Sequence, residues 1–75
     1  MQYRGYTIEA EPIYEGGQFR TAGFISREEN GETRRVQFIR ADQHSDVQSA
    51  IDHSLSKGRQ IIDEQGEDLL TRSRL

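Results

Sequence analysis

Residues 19–39 read Phe19-Arg20-Thr21-Ala22-Gly23-Phe24-Ile25-Ser26-Arg27-Glu28-Glu29-Asn30-Gly31-Glu32-Thr33-Arg34-Arg35-Val36-Gln37-Phe38-Ile39. Two runs of alternating character meet at Asn30-Gly31. Asn-Gly between alternating runs favours a two-residue hairpin turn in which both residues take positive φ. The stretch therefore predicts a pair of antiparallel strands, about Gln18 to Arg27 and Glu32 to Ala41. Side chains alternate across a strand, so Phe19 and Ile25 are assigned to the core. The opposite choice would bury Arg20. Val36 and Phe38 take the core side of the next strand, and Arg35, Gln37 and Ile39 point away.

Upstream, Tyr3 to Glu11 reads as a first strand, with Tyr6, Ile8 and Ala10 on one face and Thr7, Glu9 and Glu11 on the other. Pro12 has no amide to donate, so the ladder should weaken there or the strand should lie at an edge. Glu15-Gly16-Gly17-Gln18 supplies the next turn. Downstream the period changes from two to between three and four. Ser45 is the expected N-cap, with Gln48 completing a capping box. Val47, Ala50, Ile51, Leu55, Ile61 and Ile62 form the expected apolar stripe, while Asp52, Ser56, Arg59 and Asp63 lie opposite. Arg59 and Asp63 have the spacing of a helical ion pair. From Asp46 to Gln65 the helix would be about 30 Å long, enough to cross the sheet. Gly66 ends it. Leu69 and Leu70 would fold back over the core. Gly58 falls within the stripe, which predicts close packing against Phe19 or Phe38.

The fold class that follows is α+β: a three-stranded antiparallel sheet, order 1-2-3, with one long C-terminal helix on one face (β-β-β-α). Residues 1–70 form one domain and 71–75 a disordered tail. The chain has 75 residues and no cysteine, so disulfides and thiolate ligands are excluded. No apolar run is long enough to span a membrane, and residues 1–5 lack a signal peptide's apolar segment, so a cytoplasmic bacterial protein is expected.

Thirteen acids against ten bases give a net charge of −3, with the two signs interleaved. A strong nucleic-acid binder usually carries a basic face instead. His44 and His53 lack the spacing of a metal-ligand pair and read as solvated. No nucleophile elbow or phosphate loop occurs, and so small a fold offers little concave volume. No catalytic, cofactor-binding or metal-binding residue is assigned. Arg40 shares the parity of Val36 and Phe38; its stem should pack at the sheet end while its head escapes, near Asp42.

A helix on one face leaves the other face open. Alternation places Arg20, Ala22, Phe24, Gln37 and Ile39 there, beside Thr7 and Glu9. An arginine and an aromatic together are a frequent combination at interfaces. This face is read as the contact surface for a protein partner or a second copy. The alternative is nucleic-acid binding, with Arg35 and Arg40 as anion contacts.

The runs Gly5-Tyr6-Thr7-Ile8, Glu11-Pro12, Glu15-Gly16-Gly17-Gln18-Phe19-Arg20, Ala22-Gly23, Phe38-Ile39-Arg40-Ala41-Asp42 and Gln60-Ile61-Ile62-Asp63-Glu64-Gln65-Gly66 together resemble the small bacterial HlyU-type transcriptional activator family. The resemblance covers almost the whole chain and implies a non-catalytic, transcription-related role. It brings no catalytic residues to carry over. A winged-helix regulator shares the label, but this chain has no pair of short helices to place in a major groove.

Overall fold

The Asn30-Gly31 turn forms as expected, with φ of 52° and 81°. It joins Gln18–Glu29 to Glu32–His44 in one long hairpin. A computed structural model describes residues 1–66 and Leu69 of the chain. The expected tail at 71–75, and Leu70, lie outside the described residues.

Among the described residues the sheet has five strands, not three. They are β1 (Gln2–Tyr3), β2 (Tyr6–Ala10), β3 (Ile13–Glu15), β4 (Gln18–Glu29) and β5 (Glu32–His44), followed by helix α1 (Val47–Gln65). The order along one path is β1-β2-β4-β3, and β5 pairs with the other edge of β4. A turn divides the strand expected over Tyr3 to Glu11, and a further short strand, β3, lies beyond its expected end. Arg4 and Gly5 take φ of 50° and 84°, a tight turn that folds β1 back on β2. Arginine in this conformation is uncommon. Farther on, Glu11-Pro12 interrupts the ladder, and β3 resumes it in the same register: Ala10 faces Gly23 and Ile13 faces Arg20.

The interruption has a local consequence. The Glu11 amide donates to the Ala22 carbonyl at 2.9 Å. The Ala22 amide donates to Ser54 Oγ of the helix at 3.2 Å, and that hydroxyl donates to the Ala50 carbonyl at 2.6 Å. Ser54 is fully buried. A polar side chain in the helix seam thus satisfies a sheet amide beside the break, where leaving it unmade would be costly.

The helix starts one residue later than expected. β5 runs on to His44, and Asp46, not Ser45, is the N-cap. Its two oxygens accept the amides of Gln48 at 3.1 Å and Ser49 at 3.2 Å, which a single serine hydroxyl could not do as well. The Ser49 hydroxyl also donates to it. Gln48 turns outward to Asp52 at 3.0 Å instead of closing a capping box. At the other end the Gly66 amide donates to the Ile62 carbonyl at 2.9 Å, so the expected stop is in place.

The buried side of α1 differs from the expected stripe. Ala50, Ser54, Gly58, Ile61 and Ile62 are buried, Ile51 and Leu55 only partly, and Val47 is 46% exposed. The three small residues at successive i+4 positions bring the helix close to the sheet. A β-carbon built on Gly58 would lie 2.6 Å from Ile8 Cγ2. Gly58 is therefore a packing glycine, but its neighbour is Ile8, not Phe19 or Phe38. Phe38 instead covers Gly23, its cross-strand partner.

The core consists of Tyr6, Ile8, Ile25, Val36, Phe38, Ile61, Ile62 and Leu69, with Tyr3 and Leu55 against it. Leu69 is fully buried, as its expected return over the core requires. Phe19 is only half-buried and packs on Tyr14, ring centroids 5.0 Å apart. Tyr6 ties three elements together: its hydroxyl donates to the Gly66 carbonyl at 3.2 Å and accepts from Arg27 Nη1 at 3.0 Å. Asp63 bonds to Tyr3 Oη at 2.9 Å and to Arg4 Nε at 3.1 Å, so the first hairpin replaces Arg59 as its partner.

Two predictions follow from this packing. Ile8 is fully buried and β-branched at the contact, so it has little room to yield. Gly58→Ala should destabilise by about 1–3 kcal/mol despite alanine's better helix propensity. Chemical denaturation would measure this, and an increase in stability would refute the close contact. The second prediction concerns the cap. Hydrogen bonding from the Ser49 hydroxyl, then from backbone amides, lowers the Asp46 carboxyl below its ordinary value. The cap's contribution is therefore complete above the ordinary carboxylate range and is lost as pH falls through the folded value. Asp46→Ala should lower Tm at neutral pH, and the gap to wild type should close on acidification.

Candidate protein-contact face

The sheet face opposite the helix is built around β4. Phe24 lies between Glu9 of β2 and Gln37 of β5; Ala22 faces Ile39; Ser26 lies between Thr7 and Arg35. All these side chains share the parity opposite to Ile8, Ile25 and Phe38. The helix covers that other parity, so this face carries no second layer among the described residues.

At its centre Arg35 reaches diagonally across the sheet. Its guanidinium carbon lies 3.6 Å from the Phe24 ring centroid, and Nη2 is 3.8 Å from Glu9 Oε2. One arginine therefore spans three strands, stacking on the middle one and ending at a carboxylate on the third. Such stacking orients a planar guanidinium and lets its face contribute apolar contact area. Phe24 is half-buried and Ile39 is 45% exposed.

The other expected contact residues are distributed less evenly. Gln37 is exposed between Arg35 and Ile39 in sequence. Ala22 lies on this face but is fully buried, so it can only form the floor. Arg20 sits at the β3 end, opposite Ile13, and forms an ion pair with Glu15. Its Nε is buried with no hydrogen-bond partner among the described residues.

Arg40 is at a different kind of place. The β4–β5 register is unbroken from Glu29 facing Glu32 to Ala22 facing Ile39, then shifts so that Arg20 faces Gln43. Residues 40–42 thus oppose Thr21 alone, a bulge that alternation does not reveal. Arg40 opens it and is half-buried, with no ion pair among the described residues. Asp42 lies 3.2 Å from His53 Nε2.

The bulge and the extension of β5 also bring the two histidines together. The His44 and His53 rings are 4.9 Å apart, and His44 Nε2 is 3.4 Å from Thr21 Oγ1. No spacing rule links a strand end to a helix residue nine positions on, so sequence reasoning left them separate. No group of three or more His, Cys, Asp or Glu residues placed to hold a metal occurs among the described residues. Nor is any described helix long and apolar enough to cross a membrane.

Most arginines of the described residues carry an acidic partner. Arg27 and Arg34 both meet Glu29 near the long hairpin's tip, the latter at 3.5 Å. The Arg27 hydrogen bond holds the Glu29 carboxyl below its usual value. With Arg4 on Asp63, Arg20 on Glu15 and Arg35 on Glu9, positive charge is locally compensated.

Residues 1–70 match the family described as Transcriptional activator HlyU, and the chain belongs to that family. No curated protein and no solved structure matched it.

The Arg35–Phe24 stack yields its own prediction. A double-mutant cycle with Arg35→Ala and Phe24→Leu should return a coupling of about 0.5–1 kcal/mol, the range of exposed cation–π pairs. Additive single losses would mean that the stack contributes nothing.

Proposed function

We propose that this member of the HlyU family acts in transcription regulation as a non-catalytic module, docking a protein partner on the open face of its sheet. The observation that carries this reading is the Arg35–Phe24 stack beside exposed Ile39, on a face the fold leaves uncovered. Arginine and aromatic side chains are enriched at protein interfaces. A stacked guanidinium has also given up part of its freedom before binding, which lowers the ordering cost of association.

Charge supports protein over nucleic acid as the partner. A phosphate-binding surface draws its affinity from uncompensated cations. Here Arg20 and Arg35 are paired with glutamates, and the net charge is −3. Arg40 alone of the candidate anion contacts lacks such a partner among the described residues, and it stands at the bulge, away from the stack. Among the described residues α1, with its small residues against the sheet, has no second helix beside it to form a major-groove reader.

The test uses cells deleted for the gene. Wild-type protein should restore the transcript profile, whereas Phe24→Glu with Ile39→Lys should accumulate, fold and fail to restore it. In parallel, isotope-labelled protein should give no saturable shifts with generic duplex DNA at physiological salt, in the nonspecific range of about 10⁻⁴–10⁻⁶ M. Full restoration by the double variant would overturn the proposal. So would salt-sensitive shifts clustered on Arg20, Arg35 and Arg40.

A further inference from the structure

The two edges of the sheet are treated differently. On one side β1 has two residues and β3 three, and the only proline of the chain, Pro12, interrupts the edge between β2 and β3. Short strands and proline are standard protection against edge-to-edge pairing. On the other side β5 spans 13 residues, and no described strand pairs with its outer edge. From Glu32 to Ile39 it holds an unbroken register on β4 without proline, and its charges, Glu32, Arg34 and Arg35, are of mixed sign.

We infer that β5 is the interface through which a second copy of this chain joins, edge to edge and antiparallel, about a two-fold axis at Val36. The backbone determines which groups are available. A two-residue hairpin makes its flanking residues, Glu29 and Glu32, a hydrogen-bonded pair. By alternation Glu32, Arg34, Val36 and Phe38 direct their amides and carbonyls to β4. Thr33, Arg35, Gln37 and Ile39 direct theirs outward. A mate strand must use those outward groups, and a symmetric dimer must use the same ones on both copies.

Charge then selects the register. With the axis at Val36, Thr33 faces Ile39 of the mate, Arg35 faces Gln37, Arg34 faces Phe38, and Glu32 faces Arg40. No like charges are opposed, and one pair of opposite charge forms on each side of the axis. Moving the axis to Arg35 sets that arginine against its own copy. Moving it to Gln37 sets Arg34 against Arg40. Moving it to Phe38 runs the ladder into the bulge at residues 40–42. Directly opposed like charges destabilise a strand pair. The Val36 register keeps the pairs from Thr33 to Ile39 on regular backbone and sets Glu32 against Arg40, the residue that opens the bulge.

Pairing in this way joins two sheets into one and places both Phe24–Arg35 stacks on a continuous face. The dimer stands whether or not that face docks a regulatory partner, because it uses the edge and not the face.

Sedimentation over a concentration series should show a monomer–dimer equilibrium. Arg40→Glu and Glu32→Arg should each weaken the dimer by about tenfold, since each creates a like-charge pair on both sides of the axis. The double variant should return to within a few-fold of wild type. Hydrogen exchange should show protection that rises with concentration at the amides of Thr33, Arg35, Gln37 and Ile39, and not at their even-numbered neighbours. Gln37→Pro, which removes an outward amide only, should be monomeric with an unchanged circular-dichroism spectrum. The charge-reversal variants carry the test if the proline variant does not fold. A protein that stays monomeric at millimolar concentration would overturn the inference. So would a dimer indifferent to the charge swap, or one broken by Phe24→Glu alone with the odd-numbered amides unprotected.

Discussion

The contact between Gly58 and Ile8 governs the rest of this structure. With no β-carbon at Gly58, the helix approaches β2 closely enough for an isoleucine side chain to fill the space. Ala50 and Ser54 continue the same seam by one turn each. That proximity lets Ser54 reach the Ala22 amide beside the Glu11-Pro12 break. A larger residue anywhere in the seam would raise the helix and leave a buried amide without its partner. One geometric requirement therefore couples core packing to the polar repair of an interrupted strand.

The same requirement explains the distribution of surfaces. A single helix held tightly over β2 and β4 encloses a small core with one parity of side chains. The other parity must be made compatible with water by its own composition. Glutamates and arginines on adjacent strands do this for much of the face, and Arg35 covers the Phe24 ring with its guanidinium. The long hairpin's tip is handled likewise, with Glu29 between Arg27 and Arg34. Internal pairing compensates the charge of these arginines locally.

Patterns with a fixed local mechanism were legible in the sequence. Asn30-Gly31 located the long hairpin, alternation assigned Ile8, Ile25, Val36 and Phe38 to the core, and Gly66 ended the helix. The open-face residues came from the same alternation, and Phe24, Gln37 and Ile39 lie where it places them. What escaped depends on contacts between distant residues. An Arg-Gly pair carries no strong turn preference, so the β1 hairpin was hidden. The β3 strand is too short to show a period. Hydrophobicity marked Ile51 and Leu55 as the centre of the helix stripe, but closeness of approach is set by small residues, and these carry little hydrophobic signal. Ser54 is polar and carries no hydrophobic signal; its burial makes sense only once the amide opposite it is known. The bulge at Arg40-Ala41-Asp42, and the meeting of His44 with His53 that accompanies it, depend on how β5 follows the twist of β4.

The bulge also separates two kinds of work along β5. Before it, from Glu32 to Ile39, the strand is regular on one edge and open on the other. After it, residues 43 and 44 regain β4 in a shifted register and deliver the chain to the Asp46 cap. A strand required only to complete the sheet could end where the core ends, near Phe38. This one continues past the core at both ends, carrying an arginine at its bulge and a glutamate at its hairpin. The mate strand inferred above would place the glutamate against the arginine and would leave the stacked face free for a different contact.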